Sequence, residues 1–74
     1  MYKREIRLSQ ETVREFVSAA SRCDFKVNLC HEAMTVDAKS IMGVFSMDLS
    51  SVLTVEYNGE DDRFESFLNQ VAVA

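Results

Sequence analysis

Apolar and polar positions alternate at the start of the chain. Tyr2, Arg4, Ile6 and Leu8 interleave with Lys3, Glu5 and Arg7, the period-two signature of a strand with one buried face. Arg4 interrupts that face, so the strand is expected at an edge or end where the guanidinium can escape. The period then changes. Val13, Phe16, Val17 and Ala20 follow the i, i+3, i+4, i+7 rule, Ser9 offers an N-cap, and Glu11 and Glu15 suit a helix start. This predicts a helix of about three turns, ending near Arg22 or Cys23. Phe25, Val27 and Leu29 alternate again, and after His31-Glu32-Ala33 so do Met34, Val36 and Ala38, which predicts a hairpin whose turn lacks glycine.

Ser40 is a good N-cap for the short run Ile41-Met42-Gly43-Val44-Phe45. Leu53, Val55 and Tyr57 form another alternating strand. Asn58-Gly59 marks a turn, and Glu60-Asp61-Asp62 places negative charge at the start of a helix carrying Phe64, Phe67, Leu68 and Val71. The order is β-α-β-β-α-β-α. Four strands with one apolar face each, and two amphipathic helices, fit an α+β fold: an antiparallel sheet covered by helices on one side and open to water on the other.

The 74 residues and 8.4 kDa allow one small domain, 1–74. A chain of this size buries only about 60% of its unfolded surface, which leaves little for a deep enclosed active site. No apolar run approaches the length of a membrane span, and the basic start is followed by alternation, so a cytoplasmic protein with no membrane partner is expected. A net charge of −4 argues against phosphate-backbone binding, hence no nucleic acid partner. The charge is unevenly spread: residues 1–22 carry five positive and three negative groups, residues 51–74 one positive and five negative.

Cys23 and Cys30 lack CxxC spacing and read as two reduced thiols. Adjacent strand residues face opposite ways, so Cys30 and His31 do not converge on a metal, and no metal or cofactor is expected. No Ser/His/Asp or Cys/His set can be assembled around the single histidine, and neither glycine belongs to a phosphate-cradling run; an enzyme is not expected.

Val36-Asp37-Ala38-Lys39-Ser40-Ile41-Met42-Gly43-Val44 resembles the segment around the regulatory serine of HPr, the phosphocarrier family of the bacterial sugar phosphotransferase system, in a version similar to that of Gram-positive bacteria. Element order, the strand through Tyr57, Asn58-Gly59-Glu60-Asp61 and the final helix are also HPr-like. The resemblance is strong over residues 34–71 and weaker before, and implies an open-faced β-sandwich of three helices on a four-stranded antiparallel sheet.

The chain departs from the family at its defining site. HPr carries its phosphate-accepting histidine in a Gly-Leu-His-Ala-Arg-Pro-Ala-like loop before the first helix. Here Leu8-Ser9-Gln10-Glu11-Thr12 leads directly into Val13, with no histidine, arginine or proline. Glu11 falls where the family places positive charge, and a carboxylate repels a phosphoryl group. A serine phosphate at Ser9 would be too stable to pass on, and His31 is expected in a hairpin tip away from any helix N-terminus.

What the resemblance leaves is Ser40, matching the regulatory phosphorylation site, and Ile41, Met42 and Phe45, matching a partly exposed apolar docking patch. Val44 and Phe45 are expected inside, Ile41 and Met42 outside, with Arg14 and Arg22 as a basic rim. The expectation is a non-catalytic regulatory or protein-binding module with a phosphotransferase or regulatory protein as partner, either monomeric or a strand-exchanged dimer. The alternatives are a genuine phosphocarrier, or a structural or oligomerisation domain unrelated to phosphotransfer.

Overall fold

The computed structural model describes residues 1–73. Four strands, β1 (Tyr2–Ile6), β2 (Val27–His31), β3 (Met34–Asp37) and β4 (Leu53–Tyr57), form one antiparallel sheet in the order β1-β4-β2-β3. Three helices cover one face: α1 (Val13–Ser21), α2 (Ile41–Phe45) and α3 (Asp62–Val71).

Register separates the two faces. Across the covered face run Ile6–Leu53 and Arg4–Val55–Leu29–Val36; across the open face run Lys3–Glu56–Asn28–Asp37 and Glu5–Thr54–Cys30–Thr35. The first set, Arg4 apart, meets the helices and the second meets water, as one-sided alternation requires. Phe16 of α1 packs against Phe64 and Phe67 of α3, with ring centroids 6.4 and 6.2 Å apart, over Leu29, Leu53 and Val55.

Arg4 solves its own burial problem. From the edge strand its guanidinium donates to Glu65 Oε1 at 2.9 Å and Asn69 Oδ1 at 2.8 Å, both on α3. Glu65 Oε2 also accepts the Tyr57 hydroxyl at 2.6 Å. One carboxylate thereby joins β1, β4 and α3 by charge-assisted bonds. Tyr57 is itself buried, edge-on to Phe64 at 5.2 Å and close to the rings of Tyr2 at 5.4 Å and Phe25 at 6.1 Å.

Several elements differ from the periodicity reading. The first strand stops at Ile6; Leu8 is buried beyond it, whereas Tyr2, at the other end, is 49% exposed and rests on Tyr57. Met34 is 48% exposed because it sits at the hairpin end of an outer strand. Phe25 lies before β2 and Ala38 after β3, both packed against the core. The hairpin closes through Glu32-Ala33, with Glu32 at φ 53°, a left-handed conformation that favours glycine.

Gly59 approaches Phe25 so closely that a Cβ there would overlap the aromatic ring. Gly59→Ala is expected to destabilise the protein by about 1–3 kcal/mol, measured by urea unfolding, because the Phe25 ring must leave its place against Tyr57; an unchanged midpoint contradicts this packing.

Burial and the bond to Glu65 push the Tyr57 phenol up to about 12. The folded state holds this proton more tightly than the unfolded chain, whose phenol ionises near about 10. Its contribution to stability is therefore complete below about pH 10 and disappears as the pH rises through about 12. Ultraviolet titration should show a late tyrosinate step that Tyr57→Phe removes; a wild-type profile without such a step would refute the burial.

Candidate functional site

Two places bear on function: the connection between β1 and α1, and α2 with its preceding turn. In the first, Ser9 and Thr12 face each other. The Ser9 N–H donates to Thr12 Oγ1 at 2.9 Å, and the Thr12 N–H lies 3.1 Å from Ser9 O and 3.3 Å from Ser9 Oγ. The Val13 N–H also ends on Ser9 O at 3.1 Å. Thr12 stands immediately before α1 but makes no side-chain cap bond, and Ser9, one turn earlier, supplies acceptors to the Thr12 and Val13 amides that open the helix. A helix N-terminus attracts anions through unpaired N–H groups. Here Thr12 and Val13 already donate within the chain, and Glu11 stands exposed in the same turn.

His31 ends β2. Because β4 lies between β1 and β2, and Ile6 faces Leu53 while Cys30 faces Thr54, His31 comes to the same end of the sheet as residues 7–12, two strands across, or roughly 10 Å. Hairpin spacing alone could not show this. Its surroundings are mixed: Glu32, Glu5, Cys30 and Lys3 line the adjoining hollow, and Asp48 of the α2–β4 loop is near enough to feel its charge. The Asp48 carboxyl is held below its ordinary range chiefly by the hydroxyls of Ser50 and Ser51, with His31 a minor contributor. No arginine lines this hollow.

At α2, the loop after β3 is tied by Asp37, whose Oδ1 accepts from the Lys39 N–H at 2.9 Å and whose carbonyl accepts from the Ser40 N–H at 3.0 Å. Ser40 is extended and exposed, and its Oγ accepts the Gly43 N–H at 3.2 Å, the N-cap expected of it. Lys39 does not face Ser40's hydroxyl as a partner; its Nζ donates to Cys23 O at 2.9 Å, which ties the turn to the end of α1.

Met42 is 81% and Ile41 38% exposed, as expected; Phe45, expected inside with Val44, is instead 45% exposed. Val44 and Met47 fill the core beneath α2, leaving Phe45 one turn beyond Ile41 on the outer side. Ile41, Met42 and Phe45 together form an apolar surface on a helix packed against α1 and β3. Arg14 is exposed in the first turn of α1, and Arg22 at its end donates to Ser18 Oγ at 3.0 Å.

Both cysteines are free. Cys23 is buried and its thiol is pushed up by that burial and by the Asp61 carboxylate; Cys30 lies on the open face, with Thr35 Oγ1 at 3.7 Å. Among the described residues no three His, Cys, Asp or Glu side chains are grouped to hold a metal, and no helix is long and apolar enough to cross a membrane.

The arrangement defines a class: an open-faced sandwich with a capped serine and an apolar surface on its short second helix. A family model described as "PTS HPr component phosphorylation site" matches residues 7–71, and the chain belongs to the HPr family of the phosphotransferase system. HPr-C-His from Thermoanaerobacter tengcongensis superposes with a TM-score of 0.77 at 24% identity, covering 95% of this chain and 89% of that one; at this identity the likeness shows the fold alone. The phosphocarrier protein HPr of Bacillus anthracis gives a TM-score of 0.73 at 26% identity over 95% of both chains. No curated protein matches the chain. Proteins of this family carry phosphoryl groups rather than act as catalytic enzymes.

Ser40→Ala removes the acceptor from the Gly43 N–H and should lower stability by about 1 kcal/mol in chemical denaturation. A loss well below that would show the cap to be idle.

Proposed function

We propose that this HPr-family chain is a regulatory or protein-binding module that has given up histidine phosphotransfer. The observation that carries this reading is the altered opening of α1: where the family presents a histidine and a phosphate-binding helix end, Ser9 takes the Thr12 and Val13 amides and Glu11 adds a carboxylate. His31 is a poor replacement. It shares a sheet end with that connection, but the carboxylates of Asp48, Glu32 and Glu5 around it would oppose a phosphoryl group.

The binding surface of this reading is Ile41, Met42 and Phe45, with Arg14 as a cationic neighbour and a phosphotransferase or regulatory protein as partner. Exposed methionine and aromatic side chains adapt to varied apolar partners. Ser40 is its switch: a phosphate on the exposed Oγ would bring about −2 charge beside Ile41 and Met42 and into the field of Asp37, altering what can dock there.

The experiment is incubation with phosphoenolpyruvate and the general phosphotransferase enzyme, followed in parallel by ATP and an HPr kinase. No acid-labile phosphate is expected from the first. Acid-stable phosphate is expected from the second and is lost in Ser40→Ala. Acid-labile label that disappears in His31→Ala would overturn the reading in favour of a working phosphocarrier.

A further inference from the structure

The two edges of the sheet are finished differently. Beside β1 the chain closes on itself: Val73 donates to Glu5 O at 3.0 Å, Arg7 donates to Val71 O at 2.9 Å, and Ile6 bridges Ala72. On the other side, β3 pairs with β2 alone.

The ladder parity shows what β3 offers. Ala38 donates to Val27 O at 3.0 Å, so Val27–Ala38 is a hydrogen-bonded pair, and alternation makes Leu29–Val36 and His31–Met34 the next ones. The backbone groups of Met34 and Val36 therefore point inward, and those of Thr35 and Asp37 point out. The Asp37 carbonyl already accepts from Ser40; both groups of Thr35 and the N–H of Asp37 face outward along the edge. Residues 34–37 hold no proline, lysine or bulge, the usual devices that blunt an edge, and the nearby Lys39 is turned back onto Cys23.

We propose that β3 docks a second copy of this chain, edge to edge and antiparallel, about a two-fold axis at Thr35. Opposed residues must share a face, so the axis must pass through a residue rather than between two. Centred on Thr35, each Thr35 exchanges both bonds with Thr35 of the partner subunit, and each Asp37 N–H reaches the carbonyl of Ala33 of the partner subunit. Met34, half exposed in the single chain, then lies across from Val36 of the partner subunit, and no like charges oppose one another. Centring on Val36 would instead direct Thr35 at an Asp37 carbonyl that Ser40 occupies. The match of the strand to itself, threonine to threonine and Met34 to Val36, is what selects a second copy over a foreign strand. Four residues make a small interface, so the dimer is reversible and concentration-dependent.

Sedimentation velocity over a concentration series reaching about 1 mM should show a monomer–dimer equilibrium. Thr35→Lys keeps every internal backbone bond and gives up only the weak 3.7 Å contact of Thr35 Oγ1 with Cys30 Sγ, sets two ammonium groups face to face, and should weaken the dimer at least about tenfold. Thr35→Pro deletes, of the backbone groups, only an outward N–H, together with the same weak Oγ1–Cys30 contact, and should do the same with little change in thermal melting. Thr35→Cys in a Cys30→Ser background should cross-link on oxidation, since Cα atoms of such a pair stand about 5.5 Å apart, within disulfide reach. A chain that stays monomeric throughout the series overturns the proposal. So does a dimer indifferent to Thr35→Lys, the result that exchange of β1 between subunits would give, and so does failure of the cysteine variant to cross-link.

Discussion

Residues 7–12 have to carry the chain from the end of β1 onto the helix layer, and the fold depends on how Ser9 makes that turn. Its carbonyl and hydroxyl receive the Thr12 and Val13 amides while its own N–H goes to Thr12 Oγ1. Leu8 is pulled into the core just before the turn and Val13 just after it. With both ends buried, α1 is set down in one orientation, and Phe16 reaches Phe64 and Phe67. The interaction that orients α1 also occupies the Thr12 and Val13 donors, two of those an anion would use. Structure and loss of phosphotransfer chemistry thus have a common origin in the proposed account.

The opposite side of the domain is fastened by Glu65. A half-buried carboxylate with one cationic donor and one phenolic donor is fully engaged, and neither Arg4 nor Tyr57 is left without a partner in a partly apolar setting. This is how a 74-residue chain tolerates an arginine in the buried row of an edge strand. The Arg4 guanidinium reaches polar partners on α3 instead of remaining uncompensated in the apolar row.

Element order and the division of the sheet into covered and open faces were legible from period-two and helical spacing, since each strand carries enough apolar residues to declare its face. Ser40 as a cap was readable from local chemistry, whereas the outward position of Ile41 and Met42 came from the resemblance to the HPr docking patch. Phe45 was misplaced. A helix of five residues completes little more than one turn, so periodicity cannot orient it, and Met47 beyond its end took the core position that Phe45 was expected to fill. Tyr2 was misread because alternation does not show where the covering helices stop. The location of His31 at the β1–α1 end depends on β4 inserting between β1 and β2, a pairing between distant segments that no local pattern encodes. The Glu65 bridge spans sixty-one residues to Arg4 and was equally beyond reach.

The central claim is that Ser9 has taken the Thr12 and Val13 amides at the opening of α1, beside the Glu11 carboxylate, and has closed that turn to a phosphoryl group. It is tested most directly by recording backbone amide NMR spectra while inorganic phosphate is added at constant pH and ionic strength. The account predicts that the Thr12 and Val13 resonances stay in place and exchange slowly with solvent. Saturable shifts centred on those two amides would show an anion site still open at the head of the helix, and the account would fail.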